Sequence, residues 1–142
     1  MRKIRKLANL MLIGYTACLS YWMLFAFGRR TQLGYRYNLS PLETIRRYMN
    51  IDRFNTSTWI INLVGNIGVF IPFGIIIPLA FDSKYRRMLV IFLSIIFTLE
   101  VLQLVTRRGS FDIDDFILNS VGATIGYCIY KFYMNINSKG KS

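Results

Sequence analysis

The chain contains no histidine. The commonest general base and the commonest transition-metal ligand are therefore missing. No metal site is expected, no cofactor is called for, and no nucleophile sits beside an evident base to mark a catalytic residue. Cysteine is limited to Cys18 and Cys128, both deep in apolar runs. They read as small packing residues, and two such positions do not make a disulfide framework. Acids are scarce too, seven against 18 lysines and arginines, for a formal charge of +11. In a soluble protein that excess would suggest nucleic acid. Here the basic residues lie between apolar runs, so the expected partners are anionic membrane lipids and not nucleic acid.

What the chain does have is apolar length. Of 142 residues 54% are hydrophobic, with a mean hydropathy of +0.37, which places it in a membrane class. It is long enough for one small bundle and too short for a second, so 1–142 reads as a single domain. Arg2, Lys3, Arg5 and Lys6 precede a charge-free run over 7–27, about 31 Å as a helix and enough to span a hydrocarbon core. A signal peptide would have a shorter apolar region and a small-residue cleavage site, so this is read as a retained helix. Further spans are expected over about 59–81, 88–105 and 116–134. In the first loop, Ser40-Pro41-Leu42-Glu43 reads as a capping box with proline at the first helical position. It would open a short interfacial helix over about 41–50. The tail 135–142 is polar and expected to be unstructured. The fold class is therefore all-α, a four-helix transmembrane bundle with a short interfacial helix in its first loop. Basic residues divide ten against eight between the two sides, which favours both termini in the cytoplasm.

The few acids are concentrated. Four of the seven lie within 100–126, beside Arg107, Arg108 and Asn119. Glu100 is the one charge in its span, and a carboxylate at membrane depth costs about 2.5–3.5 kcal/mol on insertion scales. Glu100, Gln103 and Arg107 fall at i, i+3 and i+7 on one helix. Asp112, Asp115, Asn119, Gly122 and Gly126 follow the same rule on the next. Asp114 lies off that face and is expected to cap its own helix and complement the dipole. Four spans place the start of the second, the end of the third and the start of the fourth on one membrane face. Asn62 and Asn66 then converge with Glu100 and Asn119, all within about 5–10 Å of that face. Gly122 and Gly126 form a GxxxG pair that lets another helix approach closely. Gly65, Pro72 and Gly74 are expected at helix-packing positions, with Pro72 and Pro78 freeing carbonyls that neighbouring protein must satisfy. A structural reading stays open for the same residues: asparagines as interhelical glue, arginines as headgroup anchors, Glu100 in an ion pair.

Three segments occur in order: Asn38-Leu39-Ser40-Pro41-Leu42-Glu43-Thr44-Ile45; Asn62-x-x-Gly65-Asn66 with Phe70-Ile71-Pro72-Phe73-Gly74; and Glu100-x-x-Gln103, an arginine at 107 or 108, Phe111-Asp112-Ile113-Asp114-Asp115 and Asn119-x-x-Gly122-x-x-x-Gly126-Tyr127. In these the chain resembles the VanZ-like membrane proteins, a family named for a glycopeptide-resistance accessory protein. Leu42 stands where that family usually has phenylalanine. The resemblance implies a protein of the bacterial cytoplasmic membrane, associated with low-level teicoplanin resistance and more broadly with the cell envelope.

The combined expectation is a polar pocket on the outer face for an anionic, amphipathic envelope ligand: a lipid-linked precursor, a lipid headgroup or a lipoglycopeptide. Arg107 and Arg108 would meet phosphate or carboxylate. Asn62, Asn66, Gln103 and Asn119 would orient the headgroup, and Glu100 would hold an arginine or exchange a proton. Two rivals stand beside it. In one, Asp112, Asp115 and Glu100 hold a divalent metal against a lipid phosphate. In the other, the chain is a small scaffold that binds a partner through its fourth-span glycines.

Overall fold

The computed structural model describes residues 2–26, 30–49 and 56–139, with side chains for all of these except 47–49, 56–63 and 138–139. Four long helices, α1 (Arg2–Phe25), α3 (Thr56–Phe81), α4 (Tyr85–Thr106) and α5 (Ile113–Lys139), carry the fold. A short helix, α2 (Glu43–Met49), lies in the first loop, and two-residue strands β1 (Tyr37–Asn38) and β2 (Phe111–Asp112) pair in parallel. The all-α class expected from the apolar runs is what forms. Three helices are long and apolar enough to cross a membrane: α1, α4 and, over Val64–Phe81, α3. At 27 residues, or about 40 Å, α5 has the length. It continues as helix to Lys139, which overturns the expectation of an unstructured tail over 135–139; residues 140–142 lie outside the described residues.

The bundle is built on close contact between α3 and α5. A Cβ added at Gly122 would lie 2.2 Å from the Ile67 carbonyl oxygen, one at Gly126 2.0 Å from that of Ile71, and one at Gly74 1.9 Å from that of Ala123. Only glycine admits backbones this near, and between helices in lipid such packing replaces the hydrophobic effect as the source of association. The partner of the GxxxG pair is thus α3 of the same chain. Gly65 differs from its expected role: nothing among the described residues lies within 4 Å of a Cβ built there.

On the other side of α3, Phe70, Phe73 and Phe92 form an aromatic core with Tyr15 edge-on to Phe73. The Tyr15 hydroxyl donates to the Val69 carbonyl at 2.7 Å, next to the Gly68 carbonyl whose helical donor is removed by Pro72. Arg5 pairs with Asp82. Both side chains are solvent-facing, so the pair adds little stability, but it places the start of α1 beside the α3–α4 turn. Ile13, Val90 and Ile129 lie on outward faces, as lipid-facing positions do. Cys18 and Cys128 are exposed as well, so they do not fill the core as their surroundings in the sequence suggested.

Candidate functional site

The site begins where α4 stops. Arg107 takes a left-handed conformation at φ 55, with its N–H bonded to the Leu104 carbonyl, and the Arg108 N–H returns to that of Gln103. This close of the helix satisfies terminal carbonyls and has a consequence for the predicted stripe. Past Thr106 the 3.6-residue period no longer applies, so Arg107 points outward while Glu100 and Gln103 are buried. The chain then enters β2, which pairs Tyr37 with Phe111 and Asn38 with Asp112. The Arg107 carbonyl also accepts from the Gln32 N–H, and the Arg36 carbonyl from that of Phe111. The first loop is thereby laid along the α4–α5 turn.

Three aspartates fasten this junction, each differently. Asp114 is fully buried. Its carboxylate accepts backbone N–H bonds from Leu42 at 2.6 Å, Thr44 at 2.8 Å and Ile45 at 3.1 Å. It therefore caps α2 and not its own helix, correcting the expectation for this residue. The capping box is corrected with it: α2 starts at Glu43, preceded by Leu42 at φ 66, and a distant carboxylate does what Ser40 was expected to do. The cost of about 1–3 kcal/mol for a non-glycine residue at such a φ is offset by the charge-assisted bond to the Leu42 N–H. Asp112 lies in β2, off the helical face assigned to it. Its Oδ1 accepts the Asp114 N–H at 2.9 Å, an N-cap for α5, and its Oδ2 accepts the Thr44 hydroxyl at 2.6 Å. Asp115 accepts from the Asn66 amide at 3.2 Å, tying α5 to α3.

The remaining predicted residues are placed as follows. Gln103 donates to the Met23 carbonyl of α1 at 3.0 Å. Arg108 sits over the Phe25 ring, 4.5 Å from its centroid. Glu100 is fully buried, and Asn119 is 2% exposed with an Oδ1 that has no hydrogen-bond partner among the described residues. The side chain of Asn62 lies outside the described residues. Pro72 is half-buried in α3. The structure thus brings Asn66 to Asp115 and draws Gln103 and Arg108 to α1. Arg107 and Asp112 belong to the loop layer above.

That layer holds a groove of about 540 Å³. Tyr35, Arg36, Tyr37 and Asn38 line one side, and Glu43 and Thr44 of α2, with Ser110 and Asp112, line the rest. Asn38 donates to the Thr44 hydroxyl at 3.0 Å and to Asp112 at 3.4 Å, so the groove wall is a fixed network.

The sequence profile of the VanZ/LLP1 family matches residues 12–134, nearly the whole chain. The chain belongs to the VanZ/LLP1 family. A curated relative, Protein VanZ of Enterococcus faecium, is 31% identical over 101 residues, which cover 67% of this chain and 60% of the relative. The VanZ/LLP1 chain thus spans less than two thirds of that relative's length. No solved structure matches it.

Of the groove residues, sequence reasoning placed only Asp112 among its candidate site residues. Asn38 and Thr44 stood inside the first VanZ-like segment, which was their one available signal. Tyr35, Arg36, Tyr37 and Ser110 carried none, because a loop has no periodicity to give them a face. In this VanZ/LLP1 fold the first and third segments meet each other, through the Asn38–Thr44–Asp112 network and the Asp114 cap.

Proposed function

We propose that this VanZ/LLP1 protein crosses the bacterial cytoplasmic membrane four times with both termini inside. It binds an anionic, amphipathic envelope ligand (a lipid-linked precursor, a lipid headgroup or a lipoglycopeptide such as teicoplanin) at its outer face. Through that ligand it contributes to envelope function or glycopeptide resistance. The observation that supports this is the groove between the first loop and the α4–α5 turn, lined by Arg36 and set at the helix ends where Arg107 is exposed and Arg108 lies over Phe25. Guanidinium groups at headgroup depth suit phosphate or carboxylate, which they can hold by two parallel bonds. The binding surface in this reading is the groove, since Asn66 and Gln103 of the interhelical stripe bond within the protein.

The rival readings lose support from particular contacts. Of the carboxylates that the metal reading would use, Asp112 directs both oxygens to protein N–H and O–H donors and Asp115 accepts from the Asn66 amide, where a metal site would direct them to the ion. The glycine face that a scaffold would offer is covered by α3. Native mass spectrometry of the protein extracted from its own membrane tests the proposal. Retained anionic lipid or added teicoplanin is expected on the wild type and diminished on Arg36→Gln with Arg107→Gln. Equal adduct levels on both proteins would refute it.

A further inference from the structure

We infer that the groove itself receives an uncharged, hydroxylated ring, a sugar headgroup, while the arginines at its rim meet the charged part of the same ligand. The inference rests on the reading that this groove binds the envelope ligand, and it names which part of that ligand goes where.

Charge decides against an anion inside the groove. Its lining contains one cation, Arg36, and two acids, Glu43 and Asp112. A phosphate seated there would face two carboxylates, and like charges a few ångströms apart repel by about 1–4 kcal/mol per pair at surface dielectrics. Arg107, exposed at the end of α4, lies outside the lining. Arg36 is exposed as well, so in this reading the charged part of the ligand stays with these two guanidinium groups and the ring takes the groove.

The lining chemistry fits hydroxyl groups. Asn38 and Thr44 commit their donors to the wall itself, so what remains toward the groove is mostly acceptor, lone pairs of Asp112 and Thr44, together with the Ser110 hydroxyl. Neighbouring ring hydroxyls, each donor and acceptor, can donate into such an acceptor-rich set and accept from Ser110. A simple anion uses acceptors only. Tyr35 and Tyr37, 64% and 66% exposed, add aromatic surface whose electron-rich faces suit the C–H side of a pyranose. The wall is held in place by the Asn38–Thr44–Asp112 bonds, so little ordering is needed on binding. A volume of about 540 Å³ is in the range of small-molecule sites.

The test uses the full chain in nanodiscs and saturation-transfer NMR with three soluble probes: glucose, glucose 1-phosphate and glycerol 1-phosphate. The inference expects saturation of pyranose ring protons and glucose 1-phosphate binding at least about tenfold tighter than glycerol 1-phosphate. Tyr35→Ala combined with Tyr37→Ala is expected to weaken glucose 1-phosphate about tenfold, while the double phenylalanine variant keeps its affinity. Membrane level and melting temperature check that both variants fold, and the wild-type comparison of glucose 1-phosphate with glycerol 1-phosphate carries the test if the alanine pair does not. Equal binding of the two phosphates, indifferent to the tyrosines, would overturn the sugar assignment and leave the anionic reading standing. Glucose binding as tightly as its phosphate would uphold the sugar and overturn the anionic part. Absence of binding by all three probes would overturn both.

Discussion

Replacing Asp114 by asparagine should open the first loop without unfolding the bundle. In the native protein one buried carboxylate accepts three backbone N–H groups, from Leu42, Thr44 and Ile45. Hydrogen bonds to a charged acceptor contribute about 1.5–3 kcal/mol each, with incomplete additivity. Asparagine keeps one acceptor oxygen and turns an NH₂ toward the other donors, so a net loss of about 3 kcal/mol is expected. At 1.4 kcal/mol per tenfold, amide exchange in a peptide covering 40–46 should accelerate roughly 100-fold. Exchange in the middle of α3 and α4 should be unchanged. Asp115→Asn keeps an acceptor oxygen for the 3.2 Å bond from Asn66, touches none of the Leu42, Thr44 and Ile45 N–H groups, and should leave exchange in this peptide within about fivefold of wild type. Asp112→Asn should fall between, because the Thr44 hydroxyl can rotate to accept in place of donating. Hydrogen exchange read by mass spectrometry separates the three. Equal acceleration in all of them, or none in Asp114→Asn, would mean that these aspartates act only through the α5 dipole.

Three further expectations follow from the same geometry. Gly126→Ala and Gly74→Ala drive a methyl into carbonyl oxygens of Ile71 and Ala123 and should lower the melting temperature by separating α3 from α5, at about 1–3 kcal/mol or more; Gly65→Ala should be neutral, and equal melting of all three would refute the contact. Gln103→Leu removes the bond to the Met23 carbonyl and should cost about 0.6–2 kcal/mol in a detergent melt, an unchanged melt counting against that bond as a tie to α1. With Cys18 and Cys128 replaced, single cysteines at Arg36 and Ser110 should react with an impermeant thiol reagent on whole cells and one at Lys84 should not; the reverse pattern would put the groove in the cytoplasm.

The all-α class was legible because lipid demands unbroken apolar length, and the runs around α1, α3 and α4 show it plainly. The GxxxG pair was legible as a close-packing face, but its partner was not, since small residues announce proximity without saying to what. Helical spacing correctly grouped Glu100 with Gln103 as buried residues of one helix. It failed for Arg107 and Asp112, which sit where the chain leaves helical geometry, in a left-handed cap and in β2. Asp114 was the deeper failure. Its role depends on backbone groups 72 and 70 residues earlier, and no local pattern encodes a cap delivered from another element. The groove was hidden for the same reason, being made of loop residues that acquire a common wall only through the β1–β2 pairing.

That separation along the chain bears on how the protein is made. At about 5–20 residues per second, Asp114 leaves the ribosome roughly 4–14 s after Leu42. Until then the first loop has no carboxylate to hold it, and Leu42 has no reason to keep its unfavourable backbone angle. The loop can close only after α4 has been inserted and α5 has begun. Closure is therefore a late event in biogenesis, and an intact junction shows that the first turn of α5 is in place. A chain that stops before Asp114 lacks the acceptor of the Leu42, Thr44 and Ile45 N–H groups, and its first loop should be cut by an added protease faster than that of the full chain.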